Sequence, residues 1–165
     1  MKRVLIANRG EIALRIHRAC KQLGFETVAA YTKVDNQLLH LHLVDDQICV
    51  GQQSYLDSGQ LISAAMVAGC DAIHPGYGFL SEDADFAQSV EAAGLTFVGP
   101  AASHIALMGD KIEARRALAE AGVPTLLGSD KAITGEEELL AIAEEVGFPV
   151  MLKAAHGGGG MGIQL

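Results

Sequence analysis

The opening of the chain limits the fold more than any other stretch. Arg3 to Ala7 reads RVLIA, an apolar run without polar alternation, as in a strand buried on both faces of a parallel sheet. Asn8-Arg9-Gly10 turns the chain. From Glu11 to Leu23 the residues Ile12, Leu14, Ile16, Ala19 and Leu23 fall near one helical stripe, and Gly24 stops the helix. Glu26 to Tyr31 (ETVAAY) is a second strand. Strand, helix and strand in this order imply a parallel sheet with a right-handed crossover. Ligands of such sheets bind at the carboxyl ends of strands, which places Asn8, Arg9 and Gly10 at the edge of a possible site.

The alternation continues. Asn36 to Asp46 is a short helix or turn, and Gln47 to Val50 a strand. Ser58 to Gly69 is a helix with Leu61, Ile62, Ala65 and Met66 inward, and Asp71 to His74 another buried strand. Ser81, with Asp83 and Asp85, opens a helix from Glu82 to Ala93. Leu95 to Val98 is the last strand of this half. Residues 1–100 therefore read as one doubly wound α/β unit. The composition then changes. Ala101 to Leu107 is a short helix. Asp110 caps another, Lys111 to Ala121, with Glu113 completing a capping box and Gly122 and Pro124 ending it. Thr134 and Glu137 form a further capping box before Gly135 to Val146.

The totals exclude several classes. The 165 residues suit about one domain. Only 19% are charged and no apolar run reaches the length of a membrane span. A net charge of −8 argues against nonspecific nucleic-acid binding, yet leaves room for a nucleotide, which needs only local cations. Cys20, Cys49 and Cys70 have no paired spacing and sit in apolar runs. They read as buried free thiols of a reducing compartment, which points to the cytoplasm. His40 and His42 lie near Asp45 and Asp46, but an H-x-H pair on a helix faces opposite ways, so no metal site is assigned.

Three stretches carry candidate chemistry. Phe148 to Gly162 (FPVMLKAAHGGGGMG) is a short strand ending in Gly157–Gly160, with Gly162 beyond. Gly157, Gly159 and Gly162 formally satisfy G-x-G-x-x-G, but Ile163-Gln164-Leu165 reads as a returning strand rather than a helix, and a P-loop would need Gly-Lys before Ser or Thr. Strand, glycine loop and strand fits a hairpin lid over a nucleotide phosphate, with Lys153 adding charge at its base; the alternative is a glycine linker. His74 to Glu82 (HPGYGFLSE) is a turn-rich loop at a strand's carboxyl end. It is either a site wall or a tight turn whose Tyr77 and Phe79 plug the core. Lys111, in the first turn of its helix, opposes the helix dipole at a cost of about 0.3–1 kcal/mol. It either meets a docked anion or is an ordinary solvated lysine.

Taken together, these residues resemble the biotin carboxylase family, the ATP-grasp component of biotin-dependent carboxylases. The matching stretches are VLIANRGEIALRI from Val4, AIHPGYGFLSE from Ala72, FVGP from Phe97, LMGDK from Leu107, AGVP from Ala121 and FPVMLKAAHGGGGMG from Phe148, in the family's order. The resemblance implies a Rossmann-like pre-ATP-grasp domain over residues 1–100. Linker helices and the truncated start of an ATP-grasp domain would follow over 101–165. It also implies an activity: Mg·ATP phosphorylates bicarbonate, and the carboxyphosphate formed carboxylates biotin on a carrier protein or domain, for use by a carboxyltransferase. By this match Lys111 and Lys153 are the ATP-phosphate lysines, and Gly158, Gly159 and Gly160 belong to the lid. Tyr77 and Glu82 become walls of the biotin site. The Glu11–Leu23 helix, with Arg15 and Arg18, resembles a homodimer surface, although Gln22 stands where some members carry glutamate.

Met161 replaces a basic lid residue of many members. The family's Mg2+ ligands and reaction-centre residues lie beyond Leu165, so no catalytic residue and no metal ligand is expected within this stretch. Alone it should be inactive, with Ile163 and Leu165 lacking pairing strands. The other readings are a different ATP-grasp ligase and a non-catalytic module that binds nucleotide or a partner subunit.

Overall fold

The computed structural model describes residues 2–52, 54–129, 131–154 and 163–165. The chain divides into two compact units, residues 1–105 and 106–165. In the first, β1 (Arg3–Ile6), α1 (Gly10–Gln22) and β2 (Glu26–Tyr31) form the expected strand, helix and strand. The short helix or turn expected over Asn36 to Asp46 is a 3₁₀ turn at Leu39–His42, preceded by another at Lys33–Asp35. They lead to β3 (Asp46–Cys49), α2 (Ser58–Val67), β4 (Ala72–His74), α3 (Ala84–Ala92), β5 (Thr96–Phe97) and α4 (Ala102–Gly109), which straddles the division.

The five strands lie in the order β3-β2-β1-β4-β5, and every pairing is parallel. Leu5 stands level with Val28 on one side and Ile73 on the other. Successive strand residues point to opposite faces, and the core divides accordingly. Val4 and Ile6 pack with Ala13, Ile16 and Cys20 beneath α1. Leu5 and Val28 pack with Leu61, Phe86 and Val90 beneath α2 and α3. Phe86 is 1% exposed and meets Phe97 edge-on at 5.9 Å. Burying such a ring stabilises by about 2–3 kcal/mol. Helices on both faces make the doubly wound fold predicted from the sequence.

The strand order reverses between β1 and β4, so the crevice for a ligand opens at their carboxyl ends. The opposite rim is tied by charge. Arg3 pairs with Glu26 at 2.8 Å and with Asp46 at 2.6 Å, and the Asp71 carboxylate accepts the backbone N–H groups of Lys2 and Arg3.

Several local expectations need correction. Met66 is 59% exposed, and Ala64 takes the inward place beside Leu61 and Ala65. Cys20 and Cys70 are buried, but Cys49 is exposed because it lies on edge strand β3. Burial raises the Cys20 thiol and pushes that of Cys70 up to about 11. The cap of α3 is Asp83, which accepts from the Phe86 N–H at 2.9 Å; Ser81 and Glu82 lie in the preceding turn. Phe79 is 41% exposed and Tyr77 is 60% exposed, so neither plugs the core.

The second unit holds α5 (Lys111–Glu120), α6 (Glu136–Val146) and an antiparallel pair, β6 (Leu152–Lys153) and β7 (Ile163–Gln164). Asp110 caps α5 as expected, accepting from Ile112 and Glu113 at 2.9 and 3.1 Å. At α6 the cap is Gly135, and Glu138 rather than Glu137 reaches back, to the Thr134 N–H. Ile163 stands level with Lys153 across the pair, so it does not lack a partner strand.

Candidate functional site

The candidate site in the first unit is built around Asn8, just past β1. Its side chain is buried, and its amide group donates to Pro75 O at 2.7 Å and Tyr77 O at 2.8 Å. Its own oxygen accepts from the Arg9 N–H at 2.8 Å. Both amide hydrogens and the carbonyl are thereby used, and the loop after β4 is fastened to the loop after β1. The approach is close: a Cβ on Gly76, at φ +69°, would stand 3.0 Å from the Asn8 amide nitrogen and 2.9 Å from Ile12. Only glycine fits there. The Gly76 N–H donates to His74 Nδ1 at 3.1 Å, so the hydrogen of the neutral ring sits on Nε2. Burial lowers the His74 pKa and favours that neutral form.

Tyr77 stands out from this loop with its hydroxyl donating to Glu11 of α1, a bond that raises the phenol pKa. Two residues on, Phe79 has φ +45°, and no other described residue apart from glycine has a positive φ. A left-handed bulky residue costs on the order of 1–3 kcal/mol and persists only where its surroundings hold it. Those surroundings are visible. The Phe79 ring stacks on Tyr55 at 5.1 Å between centroids, and the Arg9 guanidinium lies over it at 6.0 Å. Tyr55 is buried and donates to Asp35 Oδ2 at 3.0 Å. The same oxygen is 3.4 Å from the Thr32 hydroxyl and 3.7 Å from Arg9 Nε. Burial, then the bond to Asp35, pushes the Tyr55 phenol up to about 12, so it remains a neutral donor. Sequence reading placed Arg9 at this rim but missed Asp35 and Tyr55. They share no motif and meet only because β2 and β3 end side by side.

Glu82 is exposed in the turn before α3, in the same unit as Tyr77. Arg15, Arg18 and Gln22 lie on the exposed side of α1. Lys111 and Lys153 belong to the second unit. Lys111 is half-buried at the first position of α5, and Lys153 is exposed on β6. The Asp110 carboxylate already takes two of the first amides of α5. Gly158, Gly159 and Gly160 lie outside the described residues. The two lysines suit a polyphosphate in charge. Among the described residues no group of three His, Cys, Asp or Glu is arranged to hold a metal ion. In the H-x-H pair, His40 is buried and His42 is exposed.

Residues 1–105 match the family model for the biotin carboxylase N-terminal domain. The chain belongs to that family. Residues 110–165 match the ATP-binding domain of the carbamoyl-phosphate synthase L chain. The biotin carboxylase of Pseudomonas aeruginosa is 56% identical over the whole chain, which spans 38% of that protein's length. A Campylobacter jejuni biotin carboxylase solved as a β,γ-ATP complex superposes with a TM-score of 0.93 at 44% identity, over 99% of this chain and 37% of that one. The biotin carboxylase domain dimer of Hydrogenobacter thermophilus 2-oxoglutarate carboxylase, with MgADP, ADP and bicarbonate, gives 0.90 at 45% identity, over the same shares. Across the biotin carboxylase stretches quoted above, the family likeness thus runs from β1 to β7.

Proposed function

We propose that the natural protein is a biotin carboxylase, in which Mg·ATP and bicarbonate carboxylate biotin by way of carboxyphosphate. The observation that carries this reading is the 56% identity to a biotin carboxylase over every residue of the chain. The 110–165 match alone would also suit another ATP-grasp ligase, but residues 1–105 favour the biotin enzyme. Residues 1–100 act as the pre-ATP-grasp domain and 101–165 as the opening of the ATP-grasp domain.

In this reading ATP supplies the phosphoryl group, and this chain's contribution is placement and charge. Lys111 and Lys153 neutralise phosphate oxygens, and the amides of Gly158, Gly159 and Gly160 close over them. Tyr77 and Glu82 wall the biotin pocket. Asn8 fixes the height of that wall above the sheet, because it holds the Tyr77 carbonyl at 2.8 Å. Mg2+ takes its ligands from other residues than those described. The biotin arrives on a carboxyl carrier protein or domain, and a carboxyltransferase component receives the product. The outer face of α1, with Arg15 and Arg18, pairs two copies, and the protein works in the cytoplasm. No described helix is long and apolar enough to cross a membrane.

The test is Lys153→Ala in the natural full-length gene product. Biotin-dependent ATP consumption should fall by at least about 100-fold, as when one preorganised charge donor is lost. Mg·ATP affinity should fall with it, read by calorimetric titration. Unchanged turnover and affinity would remove Lys153 from the phosphate site.

A further inference from the structure

We propose that Phe79 is a positioning residue which sets the aim of Tyr77 and Glu82 toward the ring of the biotinyl group; this rests on the function proposed above. Phe79 is the joint between the two wall residues. On one side the Tyr77 carbonyl is held by Asn8 at 2.8 Å. On the other Leu80 is 7% exposed and joins the core under α2 and α3, and the Ser81 N–H closes a turn onto Gly78 O at 2.9 Å. Between these fixed points the backbone turns left-handed at a residue that resists it, with φ +45°. A backbone outlier in a rim loop, over-determined by its neighbours, is the kind of feature that holds a functional geometry.

The restraint acts through the side chain. The ring rests on Tyr55, and Tyr55 is anchored by its 3.0 Å bond to Asp35, which also faces Arg9. Three strand ends thus support one ring: Arg9 follows β1, Asp35 follows β2 and Tyr55 follows β3. The support adds little to the core, because Phe79 remains 41% exposed. Its effect falls on the direction of the loop. Without the ring, nothing holds the chain at residue 79 to that one backbone angle, and Tyr77 and Glu82 lose their mutual orientation. Wall residues turned away from the pocket bind the biotinyl ring less well, and the loss is read in the KM for biotin.

The experiment uses the natural full-length gene product, free biotin and ATP. Phe79→Gly permits the left-handed angle at no steric cost but no longer enforces it, so the variant should fold while the loop loses its fixed direction. Phe79→Tyr keeps the ring. The KM for biotin should rise about fivefold or more in Phe79→Gly, with the KM for ATP within about twofold, and Phe79→Tyr should stay close to wild type. Tyr55→Leu, which removes the perch, should move the biotin KM in the same direction. The positioning role is overturned if the biotin KM of Phe79→Gly stays within about twofold of wild type. It is equally overturned if the KM values for biotin and ATP rise together, which a general loss of structure would produce. A wild-type protein without biotin-dependent ATP consumption overturns the functional reading and this role with it.

Discussion

The imidazole of His40 is 1% exposed, and neither ring nitrogen has a hydrogen-bond partner among the described residues. Burial lowers its pKa from 6.5, and Asp35 pulls less strongly the other way. The folded state then binds fewer protons than the unfolded chain. Its stability is fully present above 6.5 and is lost as the pH falls through the lowered value. His17 and His74 are lowered by burial too and act with the same sign. Urea unfolding should therefore show stability declining as the pH is brought below about 6.5. His40→Leu removes two nitrogens that gain nothing from the fold. It should change stability at pH 7 by no more than about 1 kcal/mol, and it should flatten the decline on the acid side. A loss above about 3 kcal/mol at pH 7 would mean that the ring nitrogens are bonded after all.

Helix α3 shows what a sequence gives away about an element and what it withholds. The helix itself was legible from the polar residues Ser81, Asp83 and Asp85 that open it, and its buried face in the structure is Phe86, Ala87 and Val90. Its cap was not. Ser81 and Asp83 are both strong cap residues, and which one serves depends on where the chain leaves the turn after Phe79. The Ser81 N–H is drawn back to Gly78 O, which leaves Asp83 to accept from Phe86. Asp83→Ala should therefore cost about 1 kcal/mol in urea unfolding, and Ser81→Ala no more than about 0.5 kcal/mol. A larger loss from Ser81→Ala than from Asp83→Ala would return the cap to Ser81. The same ambiguity misplaced the start of α6, where a run of acidic residues let Glu137 stand in for Glu138. Asp110 offered no such choice, because no other Ser, Thr, Asp or Asn lies between Ile105 and Glu120, and that cap was read correctly.

For the molecule as a whole, the order of strands and helices and the carboxyl rim were legible because apolar periodicity and glycine stops are local signals. The meeting of Asp35, Tyr55, Arg9 and Phe79 was not, since it depends on strand order, and strand order is set by packing over the whole sheet. Packing is also unequal between the units. Among the described residues, the buried apolar side chains lie in 4–105, with Ala143 alone beyond. Leu126, Leu127, Phe148 and Leu165 are each more than 70% exposed. Cooperative heat unfolding of this chain should accordingly arise from residues 1–105. At about 0.7 kcal/mol per residue near 60 °C, that unit gives an enthalpy of about 70 kcal/mol, against about 115 kcal/mol for all 165 residues. Scanning calorimetry should return the smaller value. Residues 1–105 made alone should melt within about 5 °C of the 165-residue chain, because the buried side chains that set the transition are retained. An enthalpy near the larger value, together with a much lower melting point for 1–105 alone, would mean that the second unit unfolds as part of the same cooperative structure.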